Sequence, residues 1–459
     1  MPKKKTALTI EERLQQALVP AEEQPYAVPE NWVWVRFGEV VDVLNRDRGK
    51  NYPAKSTLSK EGIPFISAAN LCDNIVVEDD LLCMSEEQYS KLSAGKLMLN
   101  DIVLCIRGSL GKHGKFPFKK GAIASSLVIL RSKDRGRLTD GYVMQYLDVP
   151  LFYDEIKKYD NGTAQPNLAA KNLELFSFPL PPLSEQQRIV ERIEELFAKL
   201  DEAKERLQEV VDSFAVRKAA ILHKAFTGEL TKQWRLENGV SDESWEEVSL
   251  KELSSVIGDG LHGTPVYSEN GDFYFINGNN FDDSFIAIKE STKRVSIEEY
   301  KKYAVNLNDN TVFLSINGTL GKTAFYNGEP VILGKSACYI NVGEKLDKRF
   351  LKEMFHTNAF INYANQKATG STIKNLGLKA IREYLVPLPS LPEQHEIVRL
   401  IDDLLARERS AQQATEQALA SIDLMKKSIL ARAFRGELGT NKASEASALE
   451  LLRQVLAEG

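Results

Sequence analysis

The feature that most constrains this chain is an internal repeat. Residues 179–230 (PLPPLSEQQRIVERIEELFAKLDEAKERLQEVVDSFAVRKAAILHKAFTGEL) align without a gap on residues 387–438 (PLPSLPEQHEIVRLIDDLLARERSAQQATEQALASIDLMKKSILARAFRGEL) at an offset of 208, with 21 of 52 positions identical. The match continues upstream, where Gly162-Thr163 and Asn167-Leu168 face Gly370-Ser371 and Asn375-Leu376. Weaker echoes pair NDIVLCIRGSLGKHGKF (100–116) with NDNTVFLSINGTLGKTAFY (308–326), PFISAANL (64–71) with YFINGNNF (274–281), and NWVWVRFGEV (31–40) with SWEEVSLKEL (244–253). The offset drifts from 213 through 210 to 208, as short loop insertions require. With two copies only, this is a duplicated half-molecule with pseudo-twofold symmetry, not a solenoid.

The well-matched segment reads as a long helix. Pro-rich entries precede it and keep the chain extended. Ser184 is the expected N-cap, with Gln187 as its capping-box partner, and Pro392 stands in the first turn of the second copy. Apolar residues then follow a 4-3 spacing. In the first copy they are Ile189, Ile193, Leu196, Leu200, Ala203, Leu207, Val210 and Phe214, with Ile221 beyond Arg217. The second has Ile397, Ile401, Leu404, Ala411, Ala418, Ile422, Met425 and Ile429, interrupted by Glu408 and Thr415. Such a heptad seam predicts a coiled coil, and Gly228 and Gly436 mark the two ends. A twofold relation between the halves makes the pair antiparallel. At 1.5 Å per residue, about 40 residues give a ruler of roughly 60 Å.

The remaining sequence mixes short β-rich runs with helical patches, so the fold class is α+β. Two globular parts, 31–180 and 231–388, alternate with long helices at 181–230 and 389–438. A helical segment (1–30) precedes them and a helical tail (439–459) follows. DIVLCIRGS, AIASSLVILRS, NTVFLSINGT and SACYINVG read as strands, YVMQYLDVPLFYDEIKKY and RFLKEMFHTNAFINYANQ as helices. A chain of 459 residues with 43% hydrophobic and 27% charged residues has the composition of a soluble multidomain protein. No apolar run reaches the ~18 residues a membrane span needs. The lysine-containing start lacks the apolar core of a secretory signal, and four scattered cysteines fit a cytoplasmic location without a zinc site.

Nucleotide hydrolysis is the first function class to test, because LSINGTLGKTAFY (314–326) carries Gly-Lys-Thr. The phosphate-binding loop needs a glycine where Ile316 stands, and Gly328 and Pro330 follow where a helix should begin. The twin at 106–116 replaces Thr323 by His113. No methyltransferase motif, cofactor-binding glycine turn or nuclease cluster is evident either, so the chain reads as non-catalytic. Local charge points to nucleic acid despite a net charge of −5: residues 107–137 carry nine Lys or Arg against Asp134 alone. The second part is richer in glycine and short polar residues that suit base edges. Candidate DNA contacts are Arg46, Arg48, Lys50, Asn70, Arg107, Ser109, Lys112, His113, Lys115, Lys119 and Lys120 in the first part. In the second they are His262, Thr264, Asn277, Asn279, Asn280, Asn317, Thr319, Lys322 and Lys335.

Two variable parts, each followed by a G[TS]…NL…PLP.L.EQ..I entry and a long helix, resemble the specificity (S) subunits of type I restriction–modification enzymes. The likeness spans nearly the whole chain, including LVPAEEQPYAVPENWVWVRFGEV near its start. It implies two target-recognition domains, each reading half of a bipartite, asymmetric double-stranded DNA site. It also implies helices that set the spacer and dock two methyltransferase (M) subunits. Those partners would use S-adenosylmethionine to methylate adenine N6, and restriction (R) subunits would add ATP- and Mg2+-dependent translocation and cleavage. This chain would bind no cofactor or metal itself. A coiled-coil scaffold that binds no DNA is the rival class; an NTPase is disfavoured by the loop spacing.

Overall fold

The computed structural model describes residues 9–47, 52–160, 162 and 166–458. Two of the expected contacts, Arg48 and Lys50, lie outside the described residues, as does Thr163 of the repeat motif. The chain divides into two compact units: Met1–Arg206 with Ala418–Gly459, and Leu207–Gln417. The first long helix, Leu183–Phe226, and the second, Leu391–Ala433, therefore each contribute one half to each unit.

The repeat is one of topology as well as sequence. In the first unit the main sheet runs Val41–Asn45, Leu127–Ser132, Ile102–Cys105, His113–Lys115, Asn74–Val76, Leu71–Cys72. In the second the order Ser254–Asp259, Ala337–Val342, Thr311–Ser315, Thr323–Phe325 repeats its first four positions. A smaller sheet built on Ile63–Ile66 is matched by one built on Phe273–Ile276, both pairing parallel with the strand that precedes the long central one. The entry strands also match, Val33–Arg36 against Ser177–Leu180 and Glu246–Ser249 against Leu385–Leu388. The helical patches each break into two. Asp140–Tyr146 and Pro150–Tyr159 correspond to Lys348–Phe355 and Asn358–Lys367.

Each unit has its own core, and the helix ends belong to it. In the first, Ile189 and Ile193 are buried with Trp32, Tyr142, Phe178, Leu430 and Phe434. In the second, Leu222, Ile397 and Ile401 are buried with Leu250, Phe350 and Phe360. The Phe-x-Gly-Glu-Leu signature is explained by this packing. Phe434 stacks on Tyr142 at 4.7 Å, and Phe226 meets Phe350, the repeat equivalent of Tyr142, at 4.9 Å. Further along the seam Leu196, Leu200, Leu207, Leu404 and Ile429 are only half-buried, while Phe214 and Ile422 are buried.

Antiparallel pairing is visible inside the first unit, and a cross-helix ion pair in the second is in register with it. In the first, Asp201 meets Lys426 at 2.6 Å and Lys204 meets Asp423 at 3.4 Å, so rising numbers on one helix face falling numbers on the other. In the second, Glu408, the polar interruption of the seam, binds Arg217 at 2.8 Å, and that guanidinium lies over Phe214. Thr415 satisfies its hydroxyl on Ala411 O of its own helix. The terminal helices Ile10–Ala17 and Ala448–Glu458 pack in the first unit, where Leu14 and Ala17 share its core with Leu452 and Leu456 and Arg453 reaches Glu11. The expected cap is corrected: the first long helix starts before Ser184, and Pro182 O already accepts from the Glu185 and Gln186 amides.

Candidate nucleic-acid interface

The Glu-Gln pair of each helix start is fully buried and anchors the helix to its globular part. Gln186 donates to the carbonyls of Arg137 and Pro181 and accepts from the Thr139 amide. Gln394 repeats this with Lys345 O, Pro389 O and the Asp347 amide. Glu185 accepts from Trp32 Nε1 at 2.7 Å and from Asn441 at 2.8 Å. Its counterpart Glu393 accepts from Thr231 and from Arg235, each at 2.7 Å.

On this frame stand the twin hairpins. Strand Ile102–Cys105 turns back into His113–Lys115 through Gly-Ser-Leu-Gly, and Thr311–Ser315 turns into Thr323–Phe325 through Gly-Thr-Leu-Gly. The loops share their bonds: Cys105 N to Lys112 O at 2.7 Å and Ser315 N to Lys322 O at 2.8 Å. Gly321 has φ +87° and a Cβ there would meet Ile361 Cδ1 at 2.5 Å, so the turn demands glycine. Gly-Lys-Thr therefore leads into a strand, and Thr323 is buried with its hydroxyl on Asp283 O and His356.

Behind each hairpin lies a polar pair, one member buried and the other half-buried, with its roles exchanged between repeats. His113, on the first hairpin, faces Asp148 at 3.8 Å, and Asn74 donates to the same carboxylate at 2.5 Å. Burial pushes the Asp148 carboxyl up, with His113 pulling it back. In the second repeat the position of Asp148 is taken by His356, which bonds Thr323, the counterpart of His113. Beside it Lys352 meets Glu353 at 2.8 Å and Asp283 at 3.2 Å. Burial raises the Glu353 carboxyl, but bonding to His356 and Lys352 outweighs this and holds it at about 2. Its ordinary value is 4.5. A carboxyl depressed by folding stabilises above its unfolded value and loses that stability as pH falls through the folded one. Between about pH 5 and pH 2 roughly 3 kcal/mol is thus expected to disappear from this site. Acid unfolding of Glu353→Gln, followed by circular dichroism, should approach that of the parent chain across this window. A gap that stays constant from pH 5 to 2 would disprove the assignment.

Two expected DNA contacts, His113 and Asn70, are corrected by this geometry, because both are buried. His113 is buried under its hairpin. Asn70 is buried, its Oδ1 accepting from the Ser67 amide and hydroxyl. Asn280 does the same for the Asn277 amide and donates to Ala287 O. Asn277 is half-buried and accepts from Ser336 Oγ. The Asn70 and Asn280 amides thus brace equivalent 3-10 turns, engaged inside the fold. Arg46 is half-buried, donates to Asp47 O and covers Tyr52. Lys120 is exposed but paired with Glu86, and His262 is exposed on Asp259. Exposed on the first hairpin and just beyond it are Arg107, Ser109, Lys112, Lys115 and Lys119. Thr319, Lys322, Lys335, Asn279 and Thr264 are exposed in the second unit, and Asn317 is half-buried. Asn167 and Asn375, the asparagines of the repeated Asn-Leu, accept from Arg107 and Asn317 on the two hairpins. Among the described residues no group of three or more His, Cys, Asp or Glu side chains stands close enough to hold a metal ion, and no helix is long and apolar enough to cross a membrane.

Comparison with known proteins gives concordant matches. The family described as the type I restriction modification DNA specificity domain matches twice, over residues 29–212 and 242–419. The EcoKI specificity subunit of Escherichia coli K12 is 25% identical, the alignment covering 94% of this chain and 96% of that protein. The StySPI specificity subunit of Salmonella potsdam is likewise 25% identical, with 94% and 96% covered. The HsdS subunit from Thermoanaerobacter tengcongensis has the same fold, with a TM-score of 0.62 at 18% identity over 91% of this chain and all of that one. A chain from a structure on complex assembly and conformational transition of the type I restriction–modification system superposes with a TM-score of 0.63 at 19% identity, covering 90% of this chain and 100% of that one.

Proposed function

Because the chain belongs to the family of type I restriction–modification DNA specificity domains, and carries two of them, we propose that it selects the DNA on which partner subunits act. The observation that carries this reading is the double match, each falling on one globular part together with part of a long helix. Residues 31–180 and 231–388 serve as the two target-recognition domains, each reading one half of a bipartite site in double-stranded DNA. Their hairpin tips differ, Arg-Gly-Ser-Leu-Gly-Lys against Asn-Gly-Thr-Leu-Gly-Lys. The half-sites therefore differ, and the whole target is asymmetric. Arg107, Ser109, Lys112, Lys115, Lys119, Thr264, Asn279, Thr319, Lys322 and Lys335 are exposed and suited to contact it.

The chain is non-catalytic in this reading. Its paired helices set the spacer and dock two methyltransferase subunits, to which restriction subunits attach. S-adenosylmethionine belongs to the former, ATP and Mg2+ to the latter, and the assembly works in the cytoplasm. The test is to map methylated adenines in DNA from cells carrying this chain with its methyltransferase partner. One asymmetric bipartite sequence is expected. Methylation without a bipartite pattern would reject the reading, and a complex that retains no duplex DNA would leave the scaffold role.

A further inference from the structure

The residue before the first glycine of each twin hairpin is held in the same way. Arg107 follows strand Ile102–Cys105 and donates Nε to Asn167 Oδ1 at 3.1 Å, across a backbone bridge between the two residues. Its counterpart Asn317 donates Nδ2 to Asn375 Oδ1 at 3.2 Å across an equivalent bridge. The backbone behind each is fixed again, by Leu168 N on Ile106 O at 2.9 Å and Leu376 N on Ile316 O at 2.8 Å. Leu168 and Leu376 are both buried, so the brace is anchored in the core of each repeat. This is why Asn-Leu recurs at matching places in sequences that otherwise diverge.

In both repeats the tethering bond uses an N–H that a base reader can spare. A guanidinium reads guanine end-on, placing Nη1 and Nη2 on O6 and N7. Asn167 takes Nε, and neither Nη has a partner among the described residues of this exposed side chain. An amide reads adenine with Oδ1 and one N–H of Nδ2, and Asn375 takes the other N–H. A phosphate contact needs a point charge and no oriented fork, which Lys112 and Lys322 supply on the same loops.

Resting on the family reading above, we propose that Arg107 and Asn317 are equivalent specificity-determining residues, Arg107 reading a guanine in one half-site and Asn317 an adenine in the other. Asn167 and Asn375 are their positioning residues. The experiment uses the complex of this full chain with its methyltransferase partner, S-adenosylmethionine and a DNA library randomised across the target, with methylated molecules sequenced. Arg107→Ala relaxes one guanine position, its discrimination falling on the order of 10- to 100-fold, and leaves the other positions unchanged. Asn317→Arg turns one adenine of the other half-site into guanine, and decides the matter alone if the first variant does not assemble. Asn167→Ala loosens the same guanine position more mildly, and Asn167→Asp, which keeps the acceptor, restores it. Uniform weakening across all sequences with a shallower salt dependence would make Arg107 a phosphate contact and overturn the proposal. A parent complex that selects no bipartite sequence would remove the family-based reading and this proposal together.

Discussion

Replacing Arg235 by methionine is expected to destabilise the second unit by about 3–5 kcal/mol, the penalty for leaving a buried charge without its partner. For a unit of this size that lowers the melting midpoint by on the order of 10 °C. Arg235 Nη1 lies 2.7 Å from Glu393 Oε1, with side chains 6% and 0% exposed. The same guanidinium donates to Gly228 O at 2.8 Å and to Asp242 at 3.1 Å. It thereby closes the turn after the first long helix onto the start of the second, within the second unit. The first unit solves the same problem with neutral donors, since Glu185 is met by Trp32 and Asn441. In the second, Trp245 occupies the position of Trp32, but among the described residues neither its Nε1 nor Glu393 Oε2 has a hydrogen-bond partner. The arginine is therefore the main counterweight to this carboxylate. The double variant Arg235→Met, Glu393→Leu removes both charges and should recover most of the loss. Equal midpoints for the single and double variants would show that lost packing, not the uncompensated charge, carries the effect.

The strong regularities of the sequence were the long-range ones. A gapless repeat and a sustained heptad spacing are imposed by many residues at once, and no local accident reproduces them. They specified the duplicated halves and the antiparallel helices, while the α+β class came from shorter strand- and helix-like runs. Single residue types were more ambiguous. Asn70 and Asn280 have the chemistry to read adenine, and the same chemistry suits the turns they brace, with partners three residues away. His113 was further out of reach, because the group it faces, Asp148, comes from another element. The helix ends exceeded the seam for a related reason. Val398, Leu405, Leu222 and Leu430 are buried off the heptad because those turns face a globular core as well as a helix. Glu408 reads as a defect along one helix and as an ion pair once Arg217 stands beside it.

Exchanging residues 31–180 for the equivalent part of another family member is expected to change one half-site and leave the other half-site and the spacer untouched. Specific binding exceeds non-specific binding by roughly 10^3- to 10^7-fold, so the exchanged half should lose most of its discrimination for the old sequence. The physical ground lies in what the exchange must preserve. The two cores share no residue, so a new first domain does not disturb packing in the second. The socket at the helix start is read mainly through backbone: Gln186 binds the Arg137 and Pro181 carbonyls and the Thr139 amide, whatever side chains those positions carry. The remaining side-chain demand is an aromatic ring at Tyr142 for Phe434 and an indole N–H at Trp32 to donate to Glu185. A donor domain that keeps those two and the Pro-Leu-Pro entry therefore docks on unchanged helices. Mapping methylated adenines made by the chimeric complex measures the outcome. A change in both half-sites would show that the domains read DNA as a coupled pair, and an altered spacer would show that the globular parts, not the helices, set it.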